Sequence, residues 1–190
     1  MRQLPVVVTG GVATGKSTVL ERFRWNGLTV ASADAVVADI WADPQQARPI
    51  AAELGVGFPV DKDILRAKLA DPDFRALAAN RLHPRVMERL FALDAQVTEI
   101  PLLFEACLQG LARTIVVVTC SPETQLRRLA ARLGDEDKAR ALIATQLPGE
   151  VKAAFADWLV DSENGIDSMN RHVDHIVRWM ADGLAEATRS

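Results

Sequence analysis

One octapeptide constrains this chain more than any other feature. Gly10-Gly11-Val12-Ala13-Thr14-Gly15-Lys16-Ser17 fits the spacing G-x-x-x-x-G-K-[ST]. It follows Val6-Val7-Val8, a β-branched run bounded by Pro5 and the glycine pair, which predicts a buried strand. Residues Lys16 to Arg24 then predict a helix. A strand that feeds a helix through such a loop makes an anion site. Glycine lets the backbone turn tightly and bring its N–H groups close to phosphate oxygens. The helix presents the positive end of its dipole to the same anion. Lys16 supplies charge for the β- and γ-phosphates of a nucleotide, and the Ser17 hydroxyl is a ligand for Mg²⁺. The expected nucleotide-binding residues are thus Gly11, Val12, Ala13, Thr14, Gly15, Lys16, Ser17 and Thr18. A glycine turn with an incidental lysine would not need a strand before it and a helix after it. The loop does not choose between ATP and GTP, although the guanine-reading sequence N-K-x-D is missing.

The rest of the chain alternates strand and helix signals. Leu28-Thr29-Val30-Ala31 predicts a second strand, Val97 to Ile100 a third, Thr114 to Thr119 a fourth and Trp158 to Val160 a short last one. Ala35 to Leu93 is helix-rich, broken by Pro44, Pro49, the Gly55–Pro59 turn and Pro72. Pro122 opens a helical pattern that runs to about Ile143, and Asp167 to Ala187 reads as a closing helix. Strands apolar on both faces and separated by helices predict an α/β fold with a parallel sheet covered on two sides. The 190 residues suit a single domain. We expect a core at about 1–34, 95–122 and 157–190, a helical acceptor-binding subdomain at about 35–94 and a lid at about 123–156.

Composition removes several classes of function. Hydrophobic residues make up 49% and charged residues 25%, which is ordinary for a folded chain. The net charge of −3 carries no basic footprint for nucleic acid. No stretch approaches a membrane span, and the start lacks a signal-peptide pattern, so a soluble, cytoplasmic protein is expected. Cys107 and Cys120 belong to no metal-ligand spacing and are expected as reduced, mostly buried thiols. His172 and His175 lie three apart without a third ligand and are expected on the surface or in packing. Trp25, Trp41, Trp158 and Trp179 are expected as packing residues.

Further segments narrow the class. Asp34 ends Ala31-Ser32-Ala33-Asp34 after the second strand, and His83-Pro84 lies in a helical stretch. Glu99-Ile100-Pro101-Leu102-Leu103-Phe104-Glu105 follows the third strand. Pro122-Glu123-Thr124-Gln125-Leu126-Arg127-Arg128 follows the fourth, with Arg132 four residues on. Gln146-Leu147-Pro148, Lys152-Ala153-Ala154-Phe155-Ala156-Asp157 and Asn164-Gly165 come next. In this order and spacing, from about residue 5 to 177, the chain resembles the dephospho-coenzyme A kinase family. The resemblance implies a three-layer P-loop NTPase fold with a helical acceptor subdomain and a lid. It implies ATP and Mg²⁺, and phosphorylation of the ribose 3′-hydroxyl of dephospho-coenzyme A. The chain departs from the family where Asp-Ala-Asp becomes Ser32-Ala33-Asp34 and where Gly-Ser-Gly-Lys becomes Ala13-Thr14-Gly15-Lys16. The segment between Trp41 and Arg66 is also shorter than typical.

The resemblance gives each residue a role. Lys16, Asp34 and Arg128 are the expected catalytic set: Asp34 orients and deprotonates the acceptor hydroxyl, and Arg128 stabilises the transferring phosphoryl. Arg132 belongs to a lid over ATP, and Asn164 lies by the adenine. Thr9, His83, Pro101 and Glu105 join Asp34 on the acceptor side. Residue type supports these roles and their alternatives. Arg128 and Arg132, four apart, share a helix face that can clamp phosphate or simply meet solvent. Asp34 can cap a helix, Pro84 accounts for a helix kink at His83, Asn-Gly is a turn dipeptide, and Glu105 can be a paired carboxylate. A nucleoside monophosphate or other small-molecule kinase, and a catalytically weak nucleotide-binding regulator, remain as alternatives. Oligomeric state is open between a monomer and a weak homo-oligomer.

Overall fold

The computed structural model describes residues 2–187. They begin with β1 (Leu4–Gly10), α1 (Lys16–Trp25) and β2 (Val30–Ser32). Four helices follow: α2 (Ala33–Ala42), α3 (Pro44–Glu53), α4 (Lys62–Lys68) and α5 (Pro72–Leu93). The chain then returns to the sheet through β3 (Val97–Glu99), a 3₁₀ turn (Gln109–Leu111) and β4 (Ala112–Thr119). It closes with α6 (Pro122–Leu133), α7 (Glu136–Ala144), α8 (Gly149–Ala153), β5 (Trp158–Asp161) and α9 (Gly165–Ala187).

The five strands form one sheet in the order β2-β3-β1-β4-β5. β1 runs parallel to β3 through Val6↔Val97 and parallel to β4 through Val6↔Thr114, and β5 extends β4 through Val116↔Trp158. β1 is therefore central, and Val6, Val7 and Val8 are all buried although they alternate between faces. That double burial explains an unbroken valine run in place of an alternating one. On the face of Val6 and Val8, α1 contributes Val19, Leu20 and Phe23, and α9 contributes Met169, Val173 and Ile176. The α9 residues recur at helical spacing and form one stripe. Outside that core, Arg22 on α1 grips Asp174 on α9 with two bonds, Nε to Oδ1 at 2.7 Å and Nη2 to Oδ2 at 2.6 Å. Asn26 Nδ2 adds a third bond to Oδ1 at 2.9 Å.

The residues group into two compact units, one made of the chain up to Ala31 and from Ala95 onward, the other of Ser32–Asp94. Apart from Ser32, the end of β2, the regular elements of the second are all helices. Val36 and Ile40 of α2, Ala47, Ile50 and Ala51 of α3, and Ala78, Val86 and Leu90 of α5 are among its buried residues. Asp43, Asp61 and Asp71 each accept first-turn amides and start α3, α4 and α5. No helix among the described residues is long and apolar enough to cross a membrane.

Several elements differ from expectation for local reasons. The single helix expected from Pro122 to Ile143 is two, because Gly134 takes a left-handed φ of 68° and Asp135 restarts the chain by capping Lys138 N. α5 continues as helix past Pro84. Trp25 is 72% exposed and lies under the Arg22 guanidinium, 3.9 Å from ring centre, so it is not a packing residue. Trp179 is also exposed, against Trp158. Cys107 is exposed and Cys120 half-buried, so neither is the buried thiol expected.

The Arg22 bond, with the Asn26 bond and the charge of Arg22, outweighs the upward push of burial and holds the Asp174 carboxyl below its ordinary value of 3.8. A lowered carboxylate stabilises the fold above its ordinary titration range and loses that contribution as pH falls through the lowered value. Asp174→Asn should therefore melt below wild type by a constant margin from about pH 7 to about pH 5. The margin should shrink below about pH 4, and thermal melts of the two proteins across that range check it.

Candidate active site

Backbone geometry builds the loop between β1 and α1. Gly10 has φ +149°, and a Cβ there would lie 2.4 Å from the Val118 carbonyl oxygen and 3.0 Å from Thr14 Oγ1. Gly10 is the register partner of Val118, so β1 reaches its end pressed against the β4 backbone. Ala13 at φ 60° and Gly15 at φ 100° complete the reversal. Thr14 Oγ1 donates to the Gly11 carbonyl at 2.9 Å and closes the loop on itself. Lys16 folds back over it, and its Nζ donates to the carbonyls of Gly10 at 3.1 Å and Gly11 at 2.8 Å.

α1 starts directly from this loop, with Gly15 as N-cap. A helix leaves its first amides without intrahelical carbonyls. At α3, α4, α5, α6 and α7 an Asp or Ser side chain fills that role. Gly15 has no side chain to do so, which keeps the end of α1 open to an external anion. Ser17, exposed in the first turn, presents a hydroxyl at the same end. These residues fit a bound polyphosphate with its magnesium ion.

Other elements reach the loop from α6, the α7–α8 link and the end of β5. Gln125 Nε2 donates to the Val12 carbonyl at 2.9 Å, and Val12 N donates to Gln146 Oε1 at 2.9 Å. Arg128 on α6 donates from Nη1 to Ser162 Oγ at 2.7 Å and from Nη2 to the Ser162 carbonyl at 2.8 Å. Ser162 is buried and neighbours Gly15: a Cβ on Gly15 would lie 3.4 Å from the Ser162 Cβ. Glu163 binds the start of α6 by accepting from Ser121 N at 2.9 Å and Thr124 Oγ1 at 2.6 Å. The Thr124 bond, then the Ser121 bond, hold its carboxyl below the ordinary value. Arg132 is exposed in the last turn of α6, and Asn164 is exposed with Nδ2 donating to Asp161 Oδ2 at 3.2 Å.

Beyond β3, Thr9 is buried and its hydroxyl donates to the Pro101 carbonyl at 3.1 Å, tying the end of β1 to the segment that carries Glu105. Glu105 is a paired carboxylate. Its Oε1 accepts from Leu147 N at 3.0 Å and lies 2.7 Å from Lys152 Nζ. Burial pushes its titration up, but the Lys152 bond and the backbone amides of Glu105 and Leu147 outweigh burial and leave it lowered. Lys152 is fully buried. Removing one member of such a pair costs about 3–5 kcal/mol, whereas replacing both with apolar side chains is often neutral. A cavity of about 720 Å³ opens between Gly11, Val118, Gln125, Ile143, Pro148 and Lys152.

Asp34 and His83 belong to the helical unit. Asp34 is exposed in the first turn of α2, two residues past the end of β2, while Ser32 is the N-cap residue. His83 is half-buried on α5, and burial lowers its titration. Sequence reasoning assigned no role to Gln125, Gln146, Lys152 or Ser162. Gln125 could have been found from its place one turn before Arg128 on α6. Ser162 gives no signal in the sequence, because only the approach of β5 to β4 brings it beside the loop.

A parallel sheet whose central strand ends in this open-capped glycine loop defines a phosphate-loop kinase fold. The family model described as dephospho-CoA kinase matches residues 4–168. A dephospho-CoA kinase of Rhodopseudomonas palustris is 34% identical over 187 residues, covering 92% of this chain and 94% of the relative. Among solved structures, TT1252 from Thermus thermophilus superposes with a TM-score of 0.77 at 27% identity, over 94% of this chain and 98% of that one. Dephospho-CoA kinase from Campylobacter jejuni shares the fold with a TM-score of 0.60 at 21% identity, over 93% and 96% of the two chains. The chain belongs to the dephospho-CoA kinase family.

The glycines predict a graded response. Gly10→Ala sets a methyl against backbone and should weaken ATP binding on the order of tenfold or more. Gly11→Ala meets Gln125 Nε2 at 2.5 Å, the far end of a flexible side chain, and should cost less. Titration calorimetry with ATP on both variants checks the order.

Proposed function

We propose that this chain is a dephospho-CoA kinase that transfers the γ-phosphoryl of ATP to the ribose 3′-hydroxyl of dephospho-CoA, giving CoA and ADP. The observation that carries this reading is the family match over residues 4–168, joined to a glycine loop whose helix end is left open. The same reading makes the protein cytoplasmic, a monomer or weak homo-oligomer, and free of nucleic-acid and membrane partners.

Phosphoryl transfer is chiefly positioning and charge neutralisation. Residues Gly11 to Thr18 hold the polyphosphate with main-chain amides and the dipole of α1. Lys16 exchanges its two carbonyl bonds for phosphate oxygens. Ser17 would hold a magnesium ion, which would supply charge neutralisation for the phosphates. Arg128 is held by two bonds to Ser162, and a guanidinium has further N–H donors to offer the transferring group. Asp34 accepts the proton of the acceptor hydroxyl and aims it. Thr9, Pro101 and Glu105 form the wall on the acceptor side, with His83 contributing from α5. Arg132 serves a lid spanning about 123–156, and Asn164 lies by the adenine. A closed lid keeps water from taking the phosphoryl group.

Turnover with Mg²⁺-ATP across dephospho-CoA, AMP, CMP, shikimate and water should be confined to dephospho-CoA, read as ADP release. Turnover with another acceptor, or silence with all despite ATP binding, overturns the reading. Asp34→Asn should keep ATP affinity while kcat falls on the order of 10²-fold or more; near-normal kcat removes Asp34 from this role. Arg128→Lys cannot reproduce the fork on Ser162 and should lower kcat/KM by roughly tenfold.

A further inference from the structure

The phosphate loop is gripped from outside at one residue, Val12. Gln125 takes the carbonyl of Val12 and Gln146 takes its N–H, each at 2.9 Å. Gln146 comes from the link between α7 and α8, 134 residues along the chain. Packing does little to fix that link, since Ala144, Thr145, Leu147, Pro148 and Gly149 are exposed. Polar bonds fix it instead. Leu147 N donates to Glu105 Oε1 at 3.0 Å, and Lys152 Nζ lies 2.7 Å from the same oxygen. Lys152 is the buried residue of α8, and apart from this ion pair neither its Nζ nor Glu105 Oε2 has a hydrogen-bond partner among the described residues. A fully buried ammonium with one counterion is expensive to maintain. Apolar residues would fill the same space without that cost, so the charge is explained by what the carboxylate holds in place.

We propose that the Glu105–Lys152 pair positions the phosphate loop: it fixes Leu147, seats the neighbouring Gln146 carboxamide on Val12, and so holds the loop in the shape that receives a polyphosphate. Lys152 and Glu105 act here through Gln146, as positioning residues. The inference rests on the loop being the nucleotide site. Its first readout needs no nucleotide, so its failure is distinguishable from failure of the kinase reading.

The test uses the full chain with Gln146→Ala, the pair variant Glu105→Leu/Lys152→Met, and all three changes together. The pair variant leaves no buried charge uncompensated and removes the acceptor for Leu147 N. Amide hydrogen exchange of the free protein should show Val12 exchanging roughly fivefold to tenfold faster in Gln146→Ala, the scale of one lost hydrogen bond. The pair variant should match it, with the amides of Val6, Val7 and Val8 unchanged. KM for ATP should rise by a similar factor in both, kcat should change less, and the triple variant should add nothing further. Wild-type protection of Val12 in the pair variant overturns the proposal. So does additivity of the KM for ATP in the triple variant, which would mean that Lys152 or Glu105 meets the nucleotide directly. Failure of the pair variant to fold, or faster exchange throughout β1, makes the pair a strut of the fold and overturns it equally.

Discussion

The structure depends on the contact between the end of β1 and the backbone of β4. At Gly10 the two strands come so close that no side chain fits between them. That approach puts the loop at the edge of a sheet whose central strand is buried on both faces, so its base is anchored by the most protected part of the core. A polyanion brought to such a loop loses water and must regain hydrogen bonds in full. Main-chain amides and a helix dipole do this well because they are already oriented. The glycine N-cap of α1 contrasts with the Asp and Ser caps of α3, α5 and α6: there a side chain closes the helix end, and here, as at α2 and α8, none does.

Cations are arranged with the same economy. The chain carries a net charge of −3, yet Lys16 and Arg128 stand at the loop. Each is held by neutral acceptors, Lys16 by carbonyls and Arg128 by the hydroxyl and carbonyl of Ser162. A carbonyl or hydroxyl orients such a cation without adding a negative charge that would compete with phosphate. Carboxylates are placed one step back. Glu163 accepts from the first turn of α6, the helix that carries Arg128, and Asp174 locks α1 to α9.

The sequence by itself determined the class of fold and the phosphate site. A β-branched run, a glycine loop of fixed spacing and a helix form a local unit, whose meaning does not depend on the rest of the chain. The alternation of strands and helices was legible for the same reason. Helix boundaries at Gly134 and the exposure of Trp25 were not, because a left-handed cap and a stacked guanidinium depend on local conformations that periodicity does not encode. The roles proposed for Asp34, Arg128, Arg132 and Asn164 rest on resemblance, from residues matched in order and spacing. Only the tertiary structure decided which distant side chains touch the loop. Gln125, Gln146 and Ser162 arrive from α6, the α7–α8 link and the end of β5. Their contacts follow from strand order and from bonds across more than a hundred residues, and no spacing along the chain records such a distance.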